Sequence, residues 1–146
     1  MKTVAAWGWE HPAWTGGFYP DDLPDDWRLA YYANEFRAVI VPWERASRCT
    51  EEEVMAWKED THADFRFFLE APPWASLGPF MALGERWGGT FWKGEGRTRE
   101  GEALAVWPLV GDNLRAQLEG EGHVLLHGKD ISLLRQARLL AELMGF

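Results

Sequence analysis

The sequence predicts an α/β fold whose mostly parallel sheet is built from about five βα units. Five strand-like runs alternate with helical runs along the 146 residues. The run 38–42, AVIVP, has no polar alternation, which is typical of a strand buried on both faces of a parallel sheet. The length indicates one domain, residues 1–146, and falls well short of the about 250 residues of an eight-unit barrel. We therefore expect an open or half-closed sheet.

The front half of the chain predicts three strands and two helices. The strands are the apolar runs 3–7, 38–42 and 64–72, and prolines end the last two. Thr50 and Glu53 form a T-x-x-E capping box that predicts the start of the second helix. Asp25 or Asp26 would cap the first helix, whose apolar positions recur at helical spacing: Leu29, Tyr32, Ala33 and Phe36.

The back half predicts two strands, at 103–109 and 122–128, and one long helix. Asp130 would cap that helix and Gly145 would end it. A short helix is predicted at 78–88 and another begins near Asp112. The segment 88–102 is rich in glycine and charge, so we interpret it as a flexible connection. The expected core includes Val39, Val41, Phe67, Val106 and Leu125.

Composition narrows the class of protein. The net charge of −8 opposes binding to nucleic acid or to an acidic membrane surface. Cys49 is the single cysteine, which excludes an internal disulfide framework. The first residues lack the apolar run of a signal peptide, and no stretch has the length that spans a bilayer. We expect a cytoplasmic protein with neither a nucleic-acid nor a membrane partner.

Ten tryptophans make aromatic rings the outstanding feature of the composition. Ligands of parallel α/β sheets bind beyond the carboxyl ends of the strands, where several of these rings fall. Indoles and phenols offer a flat apolar face with a polar edge. The alternative interpretation is that the rings of the loop 8–24 close the mouth of the sheet and pack on the first helix. The predicted ligand-binding residues are Trp9, Trp14, Tyr19, Trp43 and Trp107.

Three further side chains near strand ends are candidates for catalysis: Glu44, Glu70 and His127. Two carboxylates in different surroundings serve as acid and base in glycosidic cleavage. The alternative is that these are surface acids and a structural histidine. His123 and His127 lie in a predicted strand, about 13 Å apart at about 3.3 Å per residue, so they predict no metal site. No phosphate-binding or nucleophile motif is present, and we predict no cofactor.

The ring-rich front of the chain resembles the start of the YecE-like family, known as domain of unknown function 72. The resemblance covers about residues 7–71. Members of that family look like TIM-type (β/α) barrels, so the resemblance implies a truncated TIM-type barrel here. It rests on Gly8-Trp9, Trp14, Gly17-Phe18-Tyr19-Pro20, Leu23, Leu29, Tyr32-Ala33 and Phe36, followed by Trp57 and Phe65-Arg66-Phe67.

The departures from the family pattern occur where (β/α) proteins place their chemistry. The Glu and Asn that the family has at the second strand align with Ile40 and Pro42, and its Phe-Tyr pair with Arg45-Ala46. Glu70 stands where the family often has lysine. The resemblance thus implies a non-catalytic or vestigial domain that binds a small molecule or a protein. The alternative is a hydrolase of a sugar or sugar phosphate that uses Glu44 or Glu70 with His127.

A shortened barrel would also expose sheet edges. Unpaired edges and apolar faces are usually covered in native proteins. The tryptophan content supplies material for an interface. We therefore expect a homodimer.

Overall fold

The computed structural model describes residues 2–101 and 103–146, and within them one seven-stranded sheet. Its strands are β1 (Lys2–Trp7), β2 (Ala38–Val41), β3 (Arg66–Glu70), β4 (Trp87–Phe91), β5 (Glu100–Gly101), β6 (Ala105–Pro108) and β7 (Val124–Gly128). They lie in the order β5-β4-β3-β2-β1-β7-β6. Every neighbouring pair is parallel except β4 and β5, which are antiparallel. The α/β class and the mostly parallel sheet are confirmed.

Five α-helices accompany the sheet in the described residues: α1 (Arg28–Ala33), α2 (Trp43–Ala46), α3 (Glu51–Glu59), α4 (Leu114–Glu119) and α5 (Ile131–Leu143). The predicted capping box is present on α3, where Thr50 and Glu53 bond each other's backbone amides. Asp130 caps α5 through the amides of Ser132 and Leu133. None of the described helices is long and apolar enough to cross a membrane.

The sheet is a curled half-barrel in which β1 to β5 lie in chain order and β7 lies beside β1. The five predicted strands coincide with β1, β2, β3, β6 and β7. Five regular βα units are not confirmed, however. The residues between β3 and β4 form 3-10 turns over Gly78–Arg86, with Gly84 in a non-helical conformation. No α-helix separates β4, β5 and β6 in the described part of that connection.

Much of the predicted connection 88–102 takes part in the sheet, although residue 102 itself lies outside the described residues. Gly88 lies in β4, and glycine is required at this position because a Cβ there would come 2.7 Å from the ring of Phe68. The amide of Arg99 donates to Thr90 O in β4 (2.7 Å), and Val106 N in β6 donates to Gly96 O (2.8 Å). Residues 96–101 therefore link the two edges of the curled sheet. The flexibility of this segment stays a prediction.

This link bears on the expected homodimer. Self-association was expected because a shortened barrel would leave unpaired sheet edges. The segment 96–101 hydrogen-bonds to β4 and to β6 within one chain, so it covers both edges. Exposed apolar side chains are present elsewhere, such as Trp74 and Leu143. Self-association stays a prediction.

The sheet separates two layers of buried side chains. One face carries Val39, Val41 and Phe67, which pack with the loop and helices of the front half. The alternate positions build a second cluster that includes Ile40, Phe68 and no residue of an α-helix. All five predicted core residues are buried: Val39, Val41, Phe67, Val106 and Leu125. The period-2 alternation of the strands thus fills both faces.

Candidate functional site

A pocket of about 330 Å³ lies beyond the carboxyl ends of β1 and β2. Three chain segments form it: residues 7–11 after β1, residues 42–48 around α2, and one residue after β7. The carboxyl ends of parallel strands share one edge, where ligands of α/β folds bind. The pocket is lined by Trp7, Gly8, Trp9, Glu10, His11, Pro42, Glu44, Arg45, Arg48 and Lys129.

Backbone contacts fix all three segments. Gly8 turns the chain out of β1 at φ +79°, and its amide donates to Ile40 O at 2.8 Å. Glu70 Oε1 accepts the amide of Trp43 at 3.0 Å, which holds the first turn of α2 against the end of β3. The indole Nε1 of Trp14 donates to Lys129 O at 3.1 Å. The walls are therefore positioned by bonds to Ile40, Glu70 and Trp14, which are not among the lining residues.

Some of the charged side chains in the pocket are already paired in one ion-pair network. Arg45 Nε lies 3.0 Å from Glu10 Oε1, and its Nη2 bonds Glu53 Oε2. The guanidinium also lies over the ring of Trp57, 5.3 Å from the ring centre. Burial lowers the pKa of Arg45, but the two carboxylates outweigh it and hold that pKa above its ordinary value. The Arg45 bond in turn holds the pKa of Glu53 below its ordinary value.

The remaining charged groups of the pocket have no ion pair among the described residues. Arg48 bonds only the carbonyl oxygen of Glu44, through Nε at 3.0 Å. Lys129 and the carboxylate of Glu44 are exposed and form no ion pair there. Two cations and one carboxylate thus remain for a ligand, in a chain whose net charge is −8.

Neutral rings form the rest of the wall. Trp7 is half-buried, and its ring centre lies 5.1 Å from that of His127 and 5.9 Å from that of Phe91. His11 Nε2 lies 2.7 Å from Trp7 O. Because a carbonyl oxygen only accepts, this nitrogen is the donor of the bond. Arg45 and Arg48 were not among the predicted site residues, although their position shortly after the strand end at Pro42 was the available signal.

The predicted ligand-binding rings are not gathered in one cleft. Trp9 lines the pocket, but it is only 4% exposed and packs edge-on against Trp57 with ring centres 4.9 Å apart. Trp14 and Tyr19 are buried in the core. Tyr19 donates to Trp9 O at 2.7 Å, and burial raises its pKa far above the ordinary value. For Trp14 and Tyr19, the structure matches the alternative in which the loop rings pack on the first helix.

The other two predicted rings lie outside the pocket. Trp43 begins α2, is half-buried and meets Trp74 edge-on with ring centres 6.0 Å apart. Trp107 is 55% exposed and lines a separate cavity of about 370 Å³ beside α4. The alternation of β6 explains this, since Val106 points to the inner cluster and Trp107 to the opposite face.

The three predicted catalytic side chains also fail to share the pocket. Glu44 lines it, whereas Glu70 is 5% exposed and its Oε1 is bonded to the amide of Trp43. His127 is half-buried behind Trp7, and burial lowers its pKa below the ordinary value. Within the described ranges, no three acidic, histidine or cysteine side chains are placed to hold a metal ion.

The comparisons with known proteins agree with the resemblance noted above. The model of the family described as "Protein of unknown function DUF72" matches residues 3–76, half of the chain. No curated protein and no solved structure matches. The matched residues include β1, β2 and β3 and nine of the ten residues that line the pocket, all except Lys129. By this match the chain belongs to the DUF72 family.

Proposed function

We propose that this chain is a non-catalytic domain that binds a small molecule in the pocket beyond β1 and β2. The observation that carries the proposal is a cavity of about 330 Å³ lined both by tryptophans and by charged residues that form no ion pair among the described residues. Small-molecule sites begin at about 300 Å³ and combine apolar walls with a few polar groups. Trp7 supplies the apolar wall, and Arg48 and Lys129 supply polar groups.

The fixed walls favour binding of a ligand. Gly8, Trp43 and Lys129 each have a backbone group held by a hydrogen bond from another part of the chain. A wall that is ordered before the ligand arrives does not lose that conformational freedom on binding. The pocket is thus suited to a small rigid molecule rather than to an extended peptide.

The alternative, a sugar or sugar-phosphate hydrolase, has less support. Glycosidic cleavage uses an acid and a base that flank one bond. Of the carboxylates that line the pocket, Glu10 is paired with Arg45, which leaves Glu44 alone. Glu70 is bonded to a backbone amide, and His127 lies behind Trp7. Among the described residues that line the pocket, Glu44 therefore has no second unpaired carboxylate with which to form an acid–base pair.

A ligand screen with a blocked pocket tests the proposal. Small sugars, sugar phosphates, sugar acids and nucleosides are titrated against the protein, with tryptophan fluorescence and melting temperature as readouts. Glu44→Trp places a ring at the pocket mouth, and Glu51→Trp, on the exposed first turn of α3, is the matched control. We expect hits that Glu44→Trp abolishes and Glu51→Trp preserves. A screen without hits, or hits that survive Glu44→Trp, overturns the proposal.

The same preparation tests the alternative function. Chromogenic glycosides and sugar phosphates are incubated with the wild type, and product is followed over time. We expect no turnover above that of the Glu44→Gln variant. Turnover in the wild type that Glu44→Gln removes would replace the binding proposal with the hydrolase.

A further inference from the structure

We propose that the ligand of this pocket is a hydroxylated small anion whose phosphate or carboxylate group lies between Arg48 and Lys129. This inference rests on the proposed function, since it names the chemical class of the ligand for the same pocket. It is carried by the placement of two cations without ion pairs on different segments that line one pocket, the turn that follows α2 and the turn that follows β7.

The contrast between Arg45, in α2, and Arg48, in the turn that follows α2, identifies which arginine is free to bind. Arg45 is engaged by Glu10, Glu53 and the ring of Trp57, so its guanidinium serves the fold. Arg48 uses only Nε, on the carbonyl oxygen of Glu44. Its two terminal nitrogens remain, and these form the planar fork that matches the oxygens of a carboxylate or phosphate.

Lys129 supplies the second charge from a fixed backbone. Its carbonyl oxygen accepts the indole N–H of Trp14, and the next residue, Asp130, caps α5. The carboxylate of Asp130 therefore bonds the amides of Ser132 and Leu133 and forms no ion pair with the Lys129 ammonium. An ammonium is a compact point charge that tolerates either anion geometry.

The charge of the whole chain makes a local cationic site necessary for such a ligand. At a net charge of −8 the protein repels anions, and only a pocket that concentrates positive charge would overcome that repulsion. Among the residues that line the pocket, Arg45 and Glu10 cancel each other, and Glu53 bonds Arg45 from outside the lining; the other charges of the lining are Arg48 and Lys129 against Glu44.

The carboxylate of Glu44 further limits the chemical class of the ligand. A carboxylate accepts hydrogen bonds and repels a second anionic group. It therefore suits hydroxyls beside a single phosphate or carboxylate, and Trp7 offers a flat face to the carbon skeleton.

A series on one carbon skeleton tests the charge requirement. Glucose, gluconate and glucose 6-phosphate are titrated by calorimetry at constant ionic strength. We expect gluconate or glucose 6-phosphate to bind at least about tenfold tighter than glucose, the factor that one charge-assisted hydrogen bond provides. The two anions distinguish a carboxylate site from a phosphate site.

Variants of the two cationic residues then test which side chains bind the anionic group. Arg48→Gln and Lys129→Gln should each weaken binding of the favoured anion about tenfold more than they weaken binding of glucose. Arg115→Gln is the control, because Arg115 is exposed on α4, where it pairs with Glu119. Glucose binding as tight as either anion, with all variants alike, overturns the anion inference and leaves the pocket proposal standing. No binding by any of the three sugars, together with no hits in the wider screen, removes both.

Discussion

The front region (residues 2–70) and the back region (residues 87–128) of the same sheet achieve close packing in opposite ways. In the front region, large rings fill the space between strands, loop and helices; the rings of Tyr32 and Phe36, for example, stack 4.8 Å apart. In the back region, the absence of side chains lets backbones approach. A Cβ on Gly89 would overlap the carbonyl oxygen of Glu100, and one on Gly101 would overlap that of Gly88.

Because of this difference, the two regions are destabilised by different kinds of substitution. A smaller side chain in the front region leaves a cavity whose lining loses its contacts. A larger one in the back region meets backbone that has no room to move. The candidate pocket draws nearly all of its lining from the front region, so its shape depends on the ring-filled packing there.

The largest effect is expected from a cavity in the front region. Phe67 is fully buried, and its ring stacks 6.2 Å from that of Trp57. Phe67→Ala should lower the free energy of unfolding by about 3–5 kcal/mol, measured by urea denaturation. Met81→Ala, at an 81% exposed site, is the control and should change it little. A loss under about 1 kcal/mol for Phe67→Ala would mean that the front core relaxes around the cavity.

A methyl group added to the back region should cost somewhat less. Gly89→Ala would place a Cβ against Glu100 O at a backbone φ of +142°, whereas Gly94→Ala, at φ +77°, meets nothing within 4 Å. Both substitutions carry backbone strain, so their difference isolates the overlap. We expect Gly89→Ala to lose about 1–3 kcal/mol more than Gly94→Ala. Hydrogen exchange at Arg99, which bonds Thr90 O, should accelerate only in Gly89→Ala; equal exchange in both would contradict the close approach.

A single hydroxyl in the front region should have a smaller effect. Tyr32 Oη accepts the amide of Ala6 at 3.0 Å and donates to Ala38 O at 2.6 Å, which ties β1 to β2 inside the core. Tyr32→Phe leaves both backbone groups unsatisfied and should cost about 1–3 kcal/mol. Tyr31→Phe is the matched control, since the Tyr31 hydroxyl makes no hydrogen bond among the described side chains. Equal stability of the two variants would exclude this role for Tyr32.

The smallest effect on stability is expected from ionisation of the Cys49 thiol, which reports on burial in the front region alone. Burial raises the pKa of its thiol to about 11, against an ordinary value of 9.0. At pH 8 the folded protein thus holds roughly 100-fold less thiolate than the unfolded chain, and iodoacetamide should react correspondingly more slowly. A folded pKa above the unfolded one penalises the thiolate, so stability falls as pH rises above 9 and is unaffected below it. Equal alkylation rates with and without urea would show that the thiol is not buried in solution.

Much of the fold could be predicted because its signals are local. The apolar run of β2, the capping box at Thr50 and the cap at Asp130 each lie within a few residues and were found at the expected places. β4 was missed because its sequence, WGGTF, has the composition of a connection. Gly88 and Gly89 are required because a Cβ at these positions would meet Phe68 and Glu100, respectively. Both contacts come from other segments of the chain, so no local sequence pattern indicates them.

The pocket lies at the edge of the sheet where the sequence placed the candidate site, but its lining differs from the predicted set. Trp9 and Glu44 line the pocket, as does Trp7, and their binding of a ligand stays a prediction. Trp14 and Tyr19 went instead to the core, and Trp107 to the opposite face of β6. An aromatic-rich composition indicates that rings serve in packing or in ligand binding. Whether a given ring faces a ligand or the core depends on the neighbours that the fold brings next to it.

The sequence by itself determined the α/β class, five of the strands and the family, since periodicity, caps and the ring-rich front are written along the chain. Only the tertiary structure decided which charges are already paired and which remain for a ligand. Arg45, in α2, and Arg48, in the turn that follows α2, are three residues apart, yet Glu10 and Glu53 engage the first and leave the second. Electrostatic energy depends on distance in space, and the fold alone sets those distances.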